Sequence, residues 1–173
     1  MSDERPGWHR HPNGGGWVED TATVDETAYV GPDARVFETA RVSGSAWVYG
    51  TARVCGAAEV SGTARVFGAA EVSGAAEVSG NAEVSGAAQV FGNARVSGNA
   101  EVSGTAWVFG NAQVSGDAEV SGNAEVFGAA QVSAPRHVLT VGPIGSEDQT
   151  LTLFRAETGY GVSVGCWRPD GAT

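Results

Sequence analysis

The sequence predicts an all-β fold in which short parallel strands stack into a solenoid. Val recurs at every sixth position from Val18 to Val138, and Ala stands two residues before it from Ala22 to Ala130. Gly follows Val by two residues from Gly44 to Gly128, so the unit reads A-x-V-x-G-x. A short fixed period of this kind is the sequence signature of a solenoid. In an extended strand Ala and Val point to the same side, which gives every strand one small apolar face.

Each position of the unit has a structural role. Gly and the Asn, Thr, Asp or Ala that follows it supply a corner, because these residues tolerate the backbone angles of a sharp bend. Six residues leave no room for a crossover helix, so the chain must keep turning in one direction and stack on itself. A strict period of six with Val and Gly in every unit does not fit an α-helix.

The outward residues after each Val indicate a coil of eighteen residues, or three hexads. Sorted at this period, one column is almost entirely Ser and another holds Phe37, Cys55, Ser73, Phe91, Phe109 and Phe127. The same period stacks Arg and Glu positions in neighbouring coils, and it predicts corner ladders from Asn81 through Asn99 to Asp117 and from Asn93 to Asn111. The repeat is then long enough for about six coils.

The repeat over residues 18–133 resembles the hexapeptide-repeat family. This resemblance implies a left-handed parallel β-helix with three hexads per triangular coil. Three motifs near the C-terminus are similar to a segment of uncharacterised bacterial and phage-associated members of that family, namely the G-P-I-G-S motif of residues 142–146, the T-L-T motif of residues 150–152 and the G-C-W motif of residues 165–167.

Both ends of the chain differ from the repeat, which divides it into an arm or cap (1–17), the β-helix (18–133) and a C-terminal β segment (134–173). Terminal strands of a solenoid expose unpaired backbone groups, so caps are expected. Three apolar runs, at 137–141, 150–155 and 162–167, alternate with turns at 142–146 and 159–161. They predict a small antiparallel sheet that caps or flanks the last coil. In the N-terminal arm, His9 and His11 lack further metal ligands nearby, which favours a capping or disordered arm over a metal site.

The composition and net charge of the chain limit the classes of partner that it is expected to bind. The 173 residues include 26 Gly, 20 acidic residues and only 10 basic ones, all Arg, for a formal net charge of -10. Such a charge repels phosphate backbones and anionic lipids, so neither nucleic acid nor a membrane is an expected partner. Cys55 and Cys166 are too few for a disulfide framework, and no segment reads as a signal peptide or a membrane span. The expected location is the cytoplasm.

One outer face, which we number the third, carries an aromatic stripe. This stripe is the strongest indication in the sequence that the protein has a binding partner. Its members are Phe37, Phe91, Trp107, Phe109 and Phe127. A contiguous exposed apolar patch usually has something that covers it. Three alternatives stay open: another copy of the rod, with a trimer favoured because hexapeptide-repeat proteins commonly associate through flat faces; the chain's own C-terminal segment; or stacking in solvent. A foreign protein partner is the further possibility if the chain is monomeric.

The second face changes character along its length. It begins with a second aromatic patch formed by Tyr29, Trp47, Tyr49 and Phe67. It ends with an acidic ladder formed by Glu83, Glu101 and Glu119. Carboxylates at strand spacing repel one another, so the ladder either binds cations or forms a solvated acidic face, and the second interpretation is favoured. The first face is polar, with alternating charges.

An enzyme is the rival hypothesis, because many hexapeptide-repeat proteins are acyltransferases and some resemble γ-class carbonic anhydrases. The first group uses a His as general base and the second uses three His on zinc. Here His9, His11 and His137 all lie outside residues 22–132, so neither arrangement of catalytic histidines can be assigned to residues of this chain. No catalytic, cofactor-binding or metal-binding residue is assigned. The sequence favours a non-catalytic structural or interaction module, with an acyltransferase-like enzyme as the alternative.

Overall fold

A computed structural model describes residues 5–144 and 149–164 of the chain, and short strands dominate it. From the third strand to the end of the repeat, every strand is two residues long, because each hexad needs its other residues for the corner. In chain order the strands are β1 (Trp8–Arg10), β2 (Trp17–Glu19), β3 (Thr23–Val24), β4 (Tyr29–Val30), β5 (Arg35–Val36), β6 (Arg41–Val42), β7 (Trp47–Val48), β8 (Arg53–Val54), β9 (Glu59–Val60), β10 (Arg65–Val66), β11 (Glu71–Val72), β12 (Glu77–Val78), β13 (Glu83–Val84), β14 (Gln89–Val90), β15 (Arg95–Val96), β16 (Glu101–Val102), β17 (Trp107–Val108), β18 (Gln113–Val114), β19 (Glu119–Val120), β20 (Glu125–Val126) and β21 (Gln131–Val132).

These strands form the three sheets of a parallel β-solenoid with about six turns. The first face is the sheet β3-β6-β9-β12-β15-β18-β21, the second is β4-β7-β10-β13-β16-β19, and the third is β1-β2-β5-β8-β11-β14-β17-β20. Val66 pairs in register with Val48 on one side and Val84 on the other. The eighteen-residue coil and the parallel β-solenoid predicted from the sequence are therefore confirmed.

The core of the solenoid consists of the inward Ala and Val columns. From Ala28 to Val132 these side chains are essentially inaccessible to solvent, whereas Ala22 and Val24 at the first coil are only partly buried. The corners stack just as tightly: a Cβ added to Gly86, which has φ +69°, would lie 2.7 Å from the carbonyl oxygen of Gly104. Glycine therefore recurs at the corner because neighbouring coils leave no space there for a side chain.

The corners before Gly44 lack glycine, and one of them nevertheless keeps the backbone conformation of the glycine corners. Glu38 occupies the equivalent position with a φ of 60°, a backbone conformation that non-glycine residues adopt rarely. Its carboxylate accepts a hydrogen bond from the backbone N–H of Gly56 in the next coil, with Oε2 2.6 Å from the nitrogen. The side chain thus bonds to a corner amide of the neighbouring coil.

The N-terminal arm forms a cap on the third face. Strand β1 runs antiparallel to β2, with His9 opposite Val18, and extends the third-face sheet by one strand at its N-terminal edge. Trp17 opens β2 and is only 5% exposed. The backbone N–H of Val30 donates to the carbonyl oxygen of Asn13 at 3.0 Å, which ties the arm to the first coil of the second face.

The C-terminal segment is a three-stranded antiparallel sheet, as expected. A single 3₁₀ turn (Pro135–His137) leads into β22 (Val138–Ile144), β23 (Gln149–Arg155) and β24 (Tyr160–Val164), in the order β22-β23-β24. Phe154 of β23 is 3% exposed and joins the core of the solenoid, and Ala130 pairs with Ala156 across the junction. The sheet therefore packs on the last coil.

Two details of the predicted C-terminal unit are corrected. The turn expected at 142–146 begins later than predicted. Strand β22 continues to Ile144, with a register irregularity between Val141 and Ile144. The turn expected at 159–161 ends sooner than predicted, since Tyr160 already opens β24. The remainder of the first turn and the G-C-W motif with Cys166 lie outside the described residues.

Candidate functional site

The aromatic stripe of the third face is a stack of parallel rings. Phe91 and Phe109 lie with ring centroids 4.9 Å apart and an interplanar angle of 1°, and Phe109 and Phe127 follow at 5.2 Å and 18°. This spacing equals the distance between neighbouring strands, because the eighteen-residue coil brings the same corner position into line each time. Trp107 meets Phe91 edge to face at 6.1 Å. Its side chain is 39% exposed, whereas the three stacked rings are half-buried.

Phe37 does not belong to this cluster. Cys55 and Ser73 occupy the same column between Phe37 and Phe91, so the column is interrupted for two coils. Phe37 instead contacts Trp8 of the N-terminal cap, with ring centroids 6.0 Å apart. The five residues expected to form one interface therefore fall into two groups, and only Phe91, Trp107, Phe109 and Phe127 adjoin one another.

The second aromatic patch also forms one connected cluster. Tyr29 and Trp47 lie with ring centroids 4.8 Å apart, Trp47 meets Tyr49 at 6.3 Å, and Tyr49 stacks on Phe67 at 4.9 Å. Trp47 is 48% exposed. It lines a hollow of about 480 Å³ together with Tyr49 and Arg65. The N-terminal half of the second face is therefore an amphipathic surface.

The three glutamates of the acidic ladder lie in register on neighbouring strands. Glu83 lies opposite Glu101, and Glu101 lies opposite Glu119, on neighbouring strands. Arg65 lies on the other side of Glu83, with its Nη1 3.0 Å from Glu83 Oε1. This ion pair compensates the first carboxylate of the ladder. Within residues 5–144 and 149–164, no group of three or more His, Cys, Asp or Glu side chains is arranged to hold a metal ion.

The structure has an arginine-lined cleft at the N-terminal end of the third face that was not predicted from the sequence. It has a volume of about 520 Å³, and its walls include four arginines together with Trp17 and Asp33. The arginines are Arg5, Arg10, Arg35 and Arg53. They come from the arm, from β1 and from two successive coils, so only stacking at eighteen residues combined with the antiparallel arm brings them together. We refer to this site as the arginine cleft.

The three histidines lie at the two ends of the molecule. His9 Nδ1 is 3.0 Å from Asp20 Oδ1, and the buried His11 hydrogen-bonds through its Nδ1 with the carbonyl oxygen of Asn13 at 3.1 Å. At the other end, the backbone N–H of Ser133 donates to His137 Nδ1 at 3.1 Å. Each described histidine thus has a structural contact. None lies on the coils, where the acyltransferase or anhydrase arrangement would require it.

Two side chains have shifted pKa values. Burial raises the pKa of the Cys55 thiol, and the carboxylates of Glu71 and Glu38 raise it further, while the Arg53 guanidinium opposes them. The pKa of His137 lies below its ordinary value, mainly because the ring loses solvent and also because of the neighbouring cations. A raised thiol pKa disfavours the reactive thiolate, so Cys55 lacks the setting of a nucleophile.

Comparison with known proteins supports the solenoid assignment. A family model described as the YdcK beta solenoid repeat matches residues 88–104, a stretch that contains β14, β15 and β16. Neither the curated proteins nor the solved structures include a significant match to the chain. The repeat, the parallel coils and the matched segment fit a β-solenoid built from six-residue units, similar to hexapeptide-repeat proteins. Among the described residues, no helix has the length and hydropathy required to cross a lipid bilayer.

Proposed function

We propose that this protein is a non-catalytic interaction module that associates with further copies of itself through the aromatic stripe of the third face. The observation that carries the proposal is the exposure of Trp107 beside the half-buried rings of Phe91 and Phe109. Aromatic residues are enriched at protein interfaces, where a large rigid ring buries area at a small entropic cost. A trimer is the favoured form, because the repeat resembles that of hexapeptide-repeat proteins, which commonly associate as trimers through their flat faces.

The geometry of the coil supports a docking role. The hexads run from Ala22 to Ala130 without an insertion, so no loop projects from the third face. The Ala and Val columns beneath the face are fully buried, which holds the outward side chains on a rigid support. A preorganised face loses little conformational entropy on association.

The C-terminal end of the stripe has a different role. Phe154 of the C-terminal sheet meets Phe127 edge to face at 5.3 Å. Phe127 therefore contributes to the contact between the coil and its cap, and a substitution there would change the cap as well as the surface. Phe91 and Trp107 are the better positions for a test of association.

The test is the molar mass in solution, measured by size-exclusion chromatography with light scattering over a range of concentrations. We expect the wild-type chain to have three times the protomer mass of 17.6 kDa. A double variant, Phe91→Ser with Trp107→Gln, should be monomeric and still folded, because Ser73 already occupies the same column as Phe91. Circular dichroism checks the fold of the variant.

The matched control is Trp47→Gln, which removes an indole from the second face that is 48% exposed, compared with 39% for Trp107. This variant should keep the wild-type mass. A monomeric wild-type chain at every concentration would refute self-association, and loss of mass in the Trp47→Gln variant would assign the interface to the second aromatic patch instead.

The net charge of -10 disfavours nucleic acid and anionic membranes as partners, and the cytoplasm stays the expected location. An acyltransferase-like or anhydrase-like activity has no specific observation in its favour and is not proposed.

A further inference from the structure

The arginine cleft concentrates positive charge on a chain that is otherwise acidic. Four of the ten basic residues of the protein line this one cleft of about 520 Å³. Among the described residues that line the cleft, Asp33 is the acidic one. The volume lies within the usual range of small-molecule sites.

The cleft contains one arginine that is fixed in place. Arg10 Nη1 donates to the carbonyl oxygens of Gly15, at 2.8 Å, and Pro32, at 3.0 Å. The guanidinium of Arg10 also lies 3.8 Å from the ring centroid of Trp17, and Arg5 lies 4.8 Å from the same ring. Since Trp17 is buried, it is a rigid support for both cations. Arginines held in this way are preorganised for a ligand.

A second observation points to a ligand independently. Arg35 and Arg53 are register neighbours on β5 and β8, so two like charges lie directly opposite each other at a strand spacing of about 4.8 Å. Arg35 has Trp17 and Arg53 as its register neighbours. Each of the other outward arginines of the repeat has a glutamate as a register neighbour: Arg41 pairs with Glu59, Arg53 with Glu71, Arg65 with Glu83 and Arg95 with Glu77.

The repulsion between Arg35 and Arg53 is only partly compensated. Arg53 Nη1 lies 3.6 Å from Glu71 Oε2, a distance at the long end for an ion pair. In the part of the chain that the structure describes, no carboxylate lies within ion-pair distance of Arg35. Opposed like charges destabilise a sheet, and an anion between them would remove the repulsion.

We propose that the arginine cleft binds a small anion of the diphosphate class. Planar guanidinium groups bind phosphate oxygens through paired hydrogen bonds, and several converging arginines match a ligand with adjacent negative charges. The ring of Trp17 is buried beneath Arg10 and Arg5, so it offers no free face for a nucleobase, and recognition rests on the phosphates. This site is separate from the aromatic stripe, and its occupancy does not depend on self-association.

The test is isothermal titration calorimetry of the full chain with inorganic pyrophosphate at low ionic strength. We expect saturable binding of one pyrophosphate per chain. The Arg35→Gln variant should bind about tenfold more weakly, the loss expected for one charge-assisted hydrogen bond. The matched control is Arg41→Gln, which removes the same charge from the equivalent strand position on the first face and should leave the affinity unchanged.

Thermal denaturation gives a second readout, because a ligand that binds the folded chain raises the Tm by mass action even where the heat of binding is small. Absence of both saturable heat and a Tm shift would overturn the proposal, as would an equal loss of affinity in the Arg41→Gln variant. Tighter binding of citrate than of pyrophosphate would overturn the diphosphate class. A change of molar mass in Arg35→Gln without added anion would make the cleft a contact between copies and would also overturn it.

Discussion

Phe154, in the middle strand of the C-terminal sheet, packs edge to face on Phe127, the last ring of the stack on the third face. Two hydrogen bonds reinforce the junction at Glu125. Its backbone N–H donates to Thr152 Oγ1 at 3.1 Å, and its Oε2 accepts from Ser163 Oγ at 2.8 Å. The last coil would otherwise expose an open core and unpaired backbone groups. The C-terminal sheet therefore covers the end of the last coil.

The first prediction tests this cap. Phe154→Ala should lower the free energy of unfolding by about 3–5 kcal/mol, the usual cost of removing a buried phenyl ring. Leu139→Ala in the same sheet is the control, because Leu139 is 55% exposed and its loss should cost less than about 0.5 kcal/mol. Chemical denaturation followed by circular dichroism measures both. Equal stabilities of the two variants would contradict a capping role.

The second prediction concerns the glycine corners. Gly86 and Gly128 have similar φ values of +69° and +65°, so a change to Ala at either position costs about 1–2 kcal/mol of backbone strain. An added Cβ meets the backbone of Gly104 at Gly86 but has nothing within 4 Å at Gly128. Gly86→Ala should therefore cost about 1–3 kcal/mol more than Gly128→Ala in a urea titration. Equal costs would show that close stacking of the corners is not what selects glycine.

The third prediction concerns Cys55. Since burial and the nearby carboxylates raise the pKa of its thiol, Cys55 should react slowly with a disulfide reagent in the folded chain and rapidly after denaturation. The measurement uses a Cys166→Ser variant, so that one thiol is followed. Adding Glu71→Gln should increase the rate in the folded chain, because it removes a negative charge that opposes the thiolate. Equal reaction rates in the folded and denatured chains would show that the fold does not protect the Cys55 thiol.

The fourth prediction is a pH dependence at the C-terminal cap. His137 has a lowered pKa in the folded chain because of lost solvent and the cations of Arg155 and Arg136, so the unfolded chain takes up the proton first as the pH falls. The free energy of unfolding should therefore decrease as the pH drops below about 6.5, where the unfolded histidine titrates. Protonation also removes the Nδ1 lone pair that accepts the Ser133 N–H.

The variant His137→Gln should lose this part of the pH dependence. Thermal melts of both proteins across the acidic range, together with an NMR titration of the His137 ring, give the measurement. A ring that titrates above about 6.5 in the folded protein would contradict the prediction.

Most of the solenoid could be predicted from the sequence, because its rules are local and repeat without interruption. Alternation of side chains across a strand placed Ala and Val in the core, and the separation of Phe from Ser set the coil at eighteen residues. The same spacing predicted the hydrogen-bonded ladder in which Asn81 Nδ2 donates to Asn99 Oδ1 and Asn99 Nδ2 donates to Asp117 Oδ1. Three antiparallel strands were also predicted at the C-terminus, where apolar runs alternate with turn residues.

The arginine cleft could not be predicted, because it depends on contacts between segments that follow different rules. Arg35 and Arg53 could have been paired from the period alone, since they are eighteen residues apart. The position of Arg10 required the antiparallel turn of the arm onto β2, which no repeat specifies. The separation of Phe37 from the aromatic stripe follows from Cys55 and Ser73, which interrupt the column at positions that the sequence gives, whereas the contact of Phe37 with Trp8 depends on the arm.

Because the coils are uniform, the solenoid can differ in length by whole coils. Each eighteen-residue coil has the same inward residues and the same register to its neighbours, so a whole coil can be gained or lost in the middle while both caps keep their contacts. One step would lengthen or shorten the rod by about 4.8 Å and shift the distance between the arginine cleft and the C-terminal sheet by the same amount. A change in the number of coils would therefore alter the separation of the two ends and leave the residues of each end unchanged.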